Sequence, residues 1–159
     1  MAKVTLQSSE GQLIEVEEGA ALQSEYINKM LIENTSARAQ GSLFWCIVVP
    51  NVSNEILKMV MNYCEYHFHN NTYNEDVKNS DDEFVEGLKT DGMKLLNVVY
   101  AANELRVKSL MKLTCKAVSD IIKDMSIENV RQFLGIQNDF SKEEERKIRQ
   151  EYEWTFHGF

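Results

Sequence analysis

Over residues 107–125 the apolar or small side chains recur at the spacing of one helical face: Val107, Leu110, Met111, Thr114, Cys115, Val118, Ile121, Ile122 and Met125. A stripe of that period and width folds as an amphipathic helix whose apolar face other elements must cover. The rest of the chain adds apolar surface instead of covering it. Val130, Phe133, Leu134 and Ile136 come first, then a charged helix ending in Tyr152, Trp154 and Phe156. A tail with three aromatics and no catalytic motif grips partners more readily than it does chemistry. The chain reads as a binding module.

At 159 residues there is room for one domain, or a small domain with an appendage, around a real core. A net charge of −8 argues against nucleic acid, whose phosphates call for a basic surface. No apolar run approaches the roughly 20 residues that span a bilayer, so no membrane role is expected. The opening Met1-Ala2-Lys3-Val4-Thr5 lacks the apolar core of a signal peptide. Cys46, Cys64 and Cys115 are odd in number and lack paired spacing, which predicts reduced thiols in cytoplasm or nucleus.

Alternation around Ser9-Glu10-Gly11 predicts an N-terminal β-hairpin. Residues 20–32 carry Leu22, Tyr26, Ile27, Met30 and Leu31 at helical spacing. Residues 34–42 read as a loop and the fully apolar 43–49, closed by Pro50, as a buried strand. Ser53 caps a helix with Ile56, Leu57, Val60, Met61, Cys64 and Phe68 inward. Residues 70–83 hold five acids and little apolar weight, which predicts a solvated, mobile linker. Thr90 or Asp91 caps the next helix, Ser126 a short one stopping at Gly135, and Ser141-Lys142-Glu143-Glu144 is a capping box. Glu143 with Lys147, and Glu145 with Arg149, are spaced to pair along that last helix.

Cys64, His67 and His69 are the only cluster of metal-ligand types, but a structural zinc needs four ligands, so neither metal nor cofactor is expected. Cys64 reads as core, and the histidines as cations suited to a helix C-terminus. Cys115 lies within the stripe, where cysteine behaves as a small hydrophobe. There is no GxSxG, phosphate loop or HExxH, so the chain is not read as an enzyme. Trp154 is either a core anchor or a binding hot spot, and the pattern does not separate the two.

Several blocks resemble the S-phase-kinase-associated adaptor family of SCF (adaptor–cullin–F-box) ubiquitin ligases. They are Val4-Thr5-Leu6-Gln7-Ser8-Ser9-Glu10-Gly11, Val49-Pro50-Asn51-Val52, Tyr63-Cys64-Glu65-Tyr66-His67 and Ala101-Ala102-Asn103-Glu104-Leu105. Leu113-Thr114-Cys115-Lys116-Ala117-Val118, Ile136-Gln137-Asn138-Asp139-Phe140-Ser141 and Trp154 complete the series, in family order. The resemblance implies an α/β fold: a BTB/POZ-type domain in residues 1–69 and 84–125, interrupted by the linker at 70–83. A C-terminal helical extension occupies 126–159. It implies an F-box surface of Met111, Cys115, Val118, Ile122, Lys123, Leu134, Ile136 and Trp154. A surface for the N-terminal domain of a cullin would centre on Asn103 and Glu104.

Four departures stand out. Residues 36–48 are more apolar than the family's acidic loop, and Ser80 stands where a tryptophan commonly precedes Asp-Glu-Phe. Ile127 replaces a proline, and Glu104 replaces an aromatic that often follows the asparagine. The last of these predicts weakened cullin binding, as in a divergent paralogue, because an unpaired carboxylate is costly to bury. The resulting expectation is a non-enzymatic adaptor between cullin and F-box proteins that acts by positioning. The alternative is a homodimerising BTB module outside such ligases, which would have no need of residues 126–159.

Overall fold

The alternating N-terminus forms β1 (Lys3–Gln7) and β2 (Leu13–Glu17), antiparallel, with Val4 opposite Val16 and Leu6 opposite Ile14. Gly11 closes the hairpin at φ 82°, a conformation glycine adopts without a Cβ clash. The computed structural model describes residues 2–35 and 46–153. The chain divides into two compact units, Met1–Lys123 and Asp124–Phe159.

In the first unit, β3 (Ile47–Val48) lies parallel to β1 with Leu6 opposite Ile47, giving the sheet order β2-β1-β3. A parallel neighbour requires a crossover, and α1 (Glu18–Ala21) and α2 (Glu25–Glu33) lie within it. The predicted strand at 43–49 was expected to be buried throughout. Over its described part, Ile47 and Val49 are buried while Val48 is exposed, as in an edge strand covered on one face. Residues 36–45, including most of the expected loop, lie outside the described residues.

The single helix expected at 20–32 is two. Ser24 breaks it by turning its hydroxyl to the Ile27 N–H at 3.1 Å, capping α2. Then come α3 (Asn54–His69), capped by Ser53; α4 (Glu75–Lys89); α5 (Gly92–Leu105), capped by Asp91; and α6 (Lys108–Ile122). The core joins Val4, Leu6 and Ile47 of the sheet to Ile27, Leu57, Val60, Leu95, Val98 and Leu110 of the helices.

The reading of 70–83 as a mobile linker is corrected: helix α4 begins at Glu75, capped by Asn74, whose side chain accepts from Val77 N at 3.0 Å. Val77, Val85 and Leu88 are buried on one face of it, with Phe84 half-buried beside them. Asp81 takes an inward position in that row and so conceals the period. His67 of α3 answers it, Nε2 to Oδ1 at 2.7 Å. The acids Glu75 and Asp76 sit in the first turn, where the helix dipole favours them.

In the second unit, α7 (Ile127–Leu134) is capped by Ser126 and stops at Gly135 in the left-handed conformation, and α8 (Lys142–Glu151) opens on the expected capping box. Arg149 on α8 reaches Glu128 of α7 at 3.0 Å and Glu145 at 3.2 Å, the latter the pair expected from the spacing. Neither helix has a buried residue.

Proteolysis and thiol chemistry both test this packing. Limited proteolysis should leave residues 77–88 intact in the wild type, and Asp81→Ala should open them to cleavage; early cutting there in the wild type would contradict the docking of α4. Thiol labelling should separate exposed Cys115 from Cys64, which is fully buried and whose thiol burial pushes up to about 12. An unfolded Cys64 sheds its proton from about pH 9 upward while the folded one holds it, so its contribution to stability is present below pH 9 and declines as pH rises toward 12. Mass mapping after brief alkylation at pH 8 should find Cys115 modified and Cys64 untouched.

Candidate protein-interaction surfaces

The two surfaces implied for partners flank one sharp corner. Helix α5 ends at Arg106, left-handed at φ 53°, whose backbone N–H returns to Ala102 and Asn103 carbonyls. Helix α6 starts two residues later. Asn103 and Glu104 are exposed on the last turn of α5.

Along α6 the apolar stripe resolves into two adjacent rows. Leu110, Thr114 and Ala117 are buried. Met111, Cys115, Val118 and Ile122, each one position further round, form the outer row, where Cys115 is exposed and the others are half-buried. These four are F-box candidates, and the helix geometry brings them onto one line. Lys123 is the exposed C-cap of the same helix.

Leu134, at the end of α7, is half-buried, and Ile136 beyond it is 56% exposed. Ile127, Val130 and Phe133 are also half-buried, so this apolar face is incompletely covered among the described residues. Trp154 lies outside the described residues.

An open cleft of about 520 Å³ at the corner is lined mainly by apolar atoms, with Asn103, Met111 and Cys115 on its walls. Its rim carries Arg106, Lys112 and the 2.6 Å ion pair of Lys108 with Glu25. That pair holds the Glu25 carboxyl below its usual range through the hydrogen bond and the charge of Lys108. On the opposite flank of α5, a second cleft is lined by Val52, Ile56, Tyr100 and Glu104. The sequence reads Tyr100 only as one of the apolar residues of this helix, with Met93, Leu96, Val99 and Ala102. The structure exposes Tyr100 and Met93 and buries Leu95, Val98, Ala101, Ala102 and Leu105. The place of Tyr100 one helical turn before Glu104 was a usable signal.

Cys64 is buried, His67 is hydrogen-bonded to Asp81, and His69 Nε2 lies 3.0 Å from Glu17 Oε2, so the histidines bridge elements rather than serve the helix end alone. Among the described residues, no group of three or more His, Cys, Asp or Glu could hold a metal ion, and no helix is long and apolar enough to cross a membrane.

The family model described as Skp1 family, tetramerisation domain, matches residues 2–69, from β1 to the end of α3. The model described as Skp1 family, dimerisation domain, matches residues 108–155, from the start of α6. SKP1-like protein 10 of Arabidopsis thaliana is 38% identical over 97% of both chains, and SKP1-like protein 9 of the same plant 40% over 97% of both. SKP1-like protein 1 of Oryza sativa subsp. japonica is 35% identical over 96% of this chain and 94% of its own. The small sheet and its helices are thus a BTB/POZ-type α/β fold followed by a helical extension, and the chain belongs to the Skp1 family.

Proposed function

We propose that this chain is a non-enzymatic adaptor subunit of an SCF ubiquitin ligase, in the cytoplasm and nucleus, bridging a cullin scaffold to F-box substrate receptors. Family membership supports an SCF adaptor role in general. The observation that carries the bridging role is the outer row of α6, an apolar line left half open in a helix whose neighbouring row is fully buried. A short helical motif such as an F-box needs a groove of that kind, and its apolar anchors would gain by desolvating Met111, Val118 and Ile122. Cys115 and Lys123 of the same helix, and Leu134, Ile136 and Trp154 of the second unit, are further proposed F-box contacts. The cullin N-terminal domain engages Asn103 and Glu104 at the end of α5. It adjoins the F-box surface at the cleft that Asn103 shares with Met111 and Cys115, both partners binding at once. The reaction is accelerated by holding substrate near the ligase, not by a catalytic group on this chain.

The test measures both affinities and stability together. Trp154→Ala should weaken binding of an F-box protein about thirtyfold, the loss of roughly 2 kcal/mol typical of a tryptophan hot spot. Val118→Asp should do at least as much, by burying a charge in the groove. Both variants should keep cullin affinity within about twofold, as expected of sites outside that face. Trp154→Ala should keep the wild-type melting temperature, while Val118→Asp lowers it somewhat because Val118 also packs against the core. Parallel loss of both partners with a lowered melting temperature would make Trp154 a core anchor and overturn the assignment.

A further inference from the structure

On α5, Met93, Asn97, Tyr100 and Glu104 succeed one another at intervals of four, three and four residues, one row about 16 Å long on the helix. The helix enters the core through Leu95, Val98, Ala101, Ala102 and Leu105, and this row faces away. Two of its members are large side chains left open, Met93 at 66% and Tyr100 at 69% exposure. Among the described residues the Tyr100 hydroxyl has no hydrogen bond and Glu104 no ion pair. Lys94, next to the row, is engaged by Glu55 at 2.7 Å.

The cleft beside this row is about 550 Å³ and open to solvent. Its far side is the start of α3, where Asn51 turns left-handed at φ 64° and Val52 accepts from the Ser9 N–H at 2.9 Å. The Glu10 carboxylate caps the same turn at the Asn54 N–H, 3.0 Å away. The site is therefore preformed: an aromatic face with an unpaired carboxylate one turn on, and an apolar floor of Val52 and Ile56.

We propose that this cleft accepts an arginine- or lysine-bearing segment of the cullin, its cation set between Tyr100 and Glu104 and its aliphatic stem against Ile56. The inference rests on the reading of this face as the cullin surface, and it commits to a basic occupant because the cleft's one free charge is negative. A cation gains from both the ring and the carboxylate. An apolar side chain in its place would leave Glu104 buried and unpaired. Glu104 then lowers affinity for scaffolds without the cation and selects those that carry it, while Tyr100 supplies an aromatic anchor one turn earlier than position 104.

The test titrates the full chain, in complex with an F-box protein, against the N-terminal domain of a cullin from the same species, at low and high salt. Tyr100→Ala should weaken binding about tenfold, as loss of an aromatic anchor does. Glu104→Gln should weaken it about threefold at low salt and flatten its salt dependence, and Glu104→Lys should weaken it further. Asn103→Arg serves as a block of the whole face; an unchanged melting temperature in every variant, with unchanged F-box affinity in Tyr100→Ala and Glu104→Gln, reports intact folding. Tighter binding by Glu104→Gln would overturn the proposal, making the carboxylate a liability. So would wild-type affinity in both Tyr100→Ala and Glu104→Gln when Asn103→Arg is lost, which would leave the cullin surface standing. No cullin binding by the wild type would instead remove the adaptor reading and this inference with it.

Discussion

The corner between α5 and α6 depends on one buried hydroxyl. Ser24 caps α2 by accepting from the Ile27 N–H, and the same hydroxyl donates to the carbonyl of Leu105, the last residue of α5. It is fully buried, so either bond left unmade would cost more than an exposed cap, on the order of 1–3 kcal/mol. Around it, Glu25 N–H reaches the Arg106 carbonyl at 3.4 Å and the Glu25 side chain holds Lys108. Arg106 keeps a left-handed backbone that most side chains avoid, and it persists because these bonds determine the turn on both sides. The direction of α6 relative to α5 is set there, and with it the placement of Asn103 and Glu104 before the turn and of Met111 and Cys115 after it.

That geometry leaves two helices with faces open to partners. The core uses one row of α6 completely and leaves the next half open, and α5 presents an uncovered row of its own. Helices with a second, incompletely satisfied face are recognition elements, since covering it releases hydrophobic free energy without remodelling the fold. The titratable groups serve architecture instead. His67 and Asp81 join α3 to α4, and Tyr63, whose hydroxyl burial pushes up to about 12, meets Ser109 at 3.2 Å and ties α3 to α6.

Much of this was legible in the sequence because it is local. Hairpin, caps at Ser53, Ser126 and Ser141, the stop at Gly135 and the stripe on α6 are all written in spacings of two to four residues. The misreadings were tertiary. Asp81 looks like a solvated acid until His67, fourteen residues earlier, is brought beside it, and Ser24 looks like mid-helix filler until Leu105 gives it a partner. The division of the α6 stripe into inner and outer rows depends on which neighbours cover it, and a helical period reports only that a face exists. The row of Met93, Asn97, Tyr100 and Glu104 was equally readable as a spacing, but nothing in the chain says that it stays uncovered.

An adaptor must hold both partners at once on neighbouring surfaces, and native mass spectrometry of the chain mixed with an F-box protein and a cullin N-terminal domain shows whether it does. One species whose mass is the sum of one copy of each is the predicted result. Two binary complexes that exclude each other, or a homodimer that binds neither partner, would contradict it.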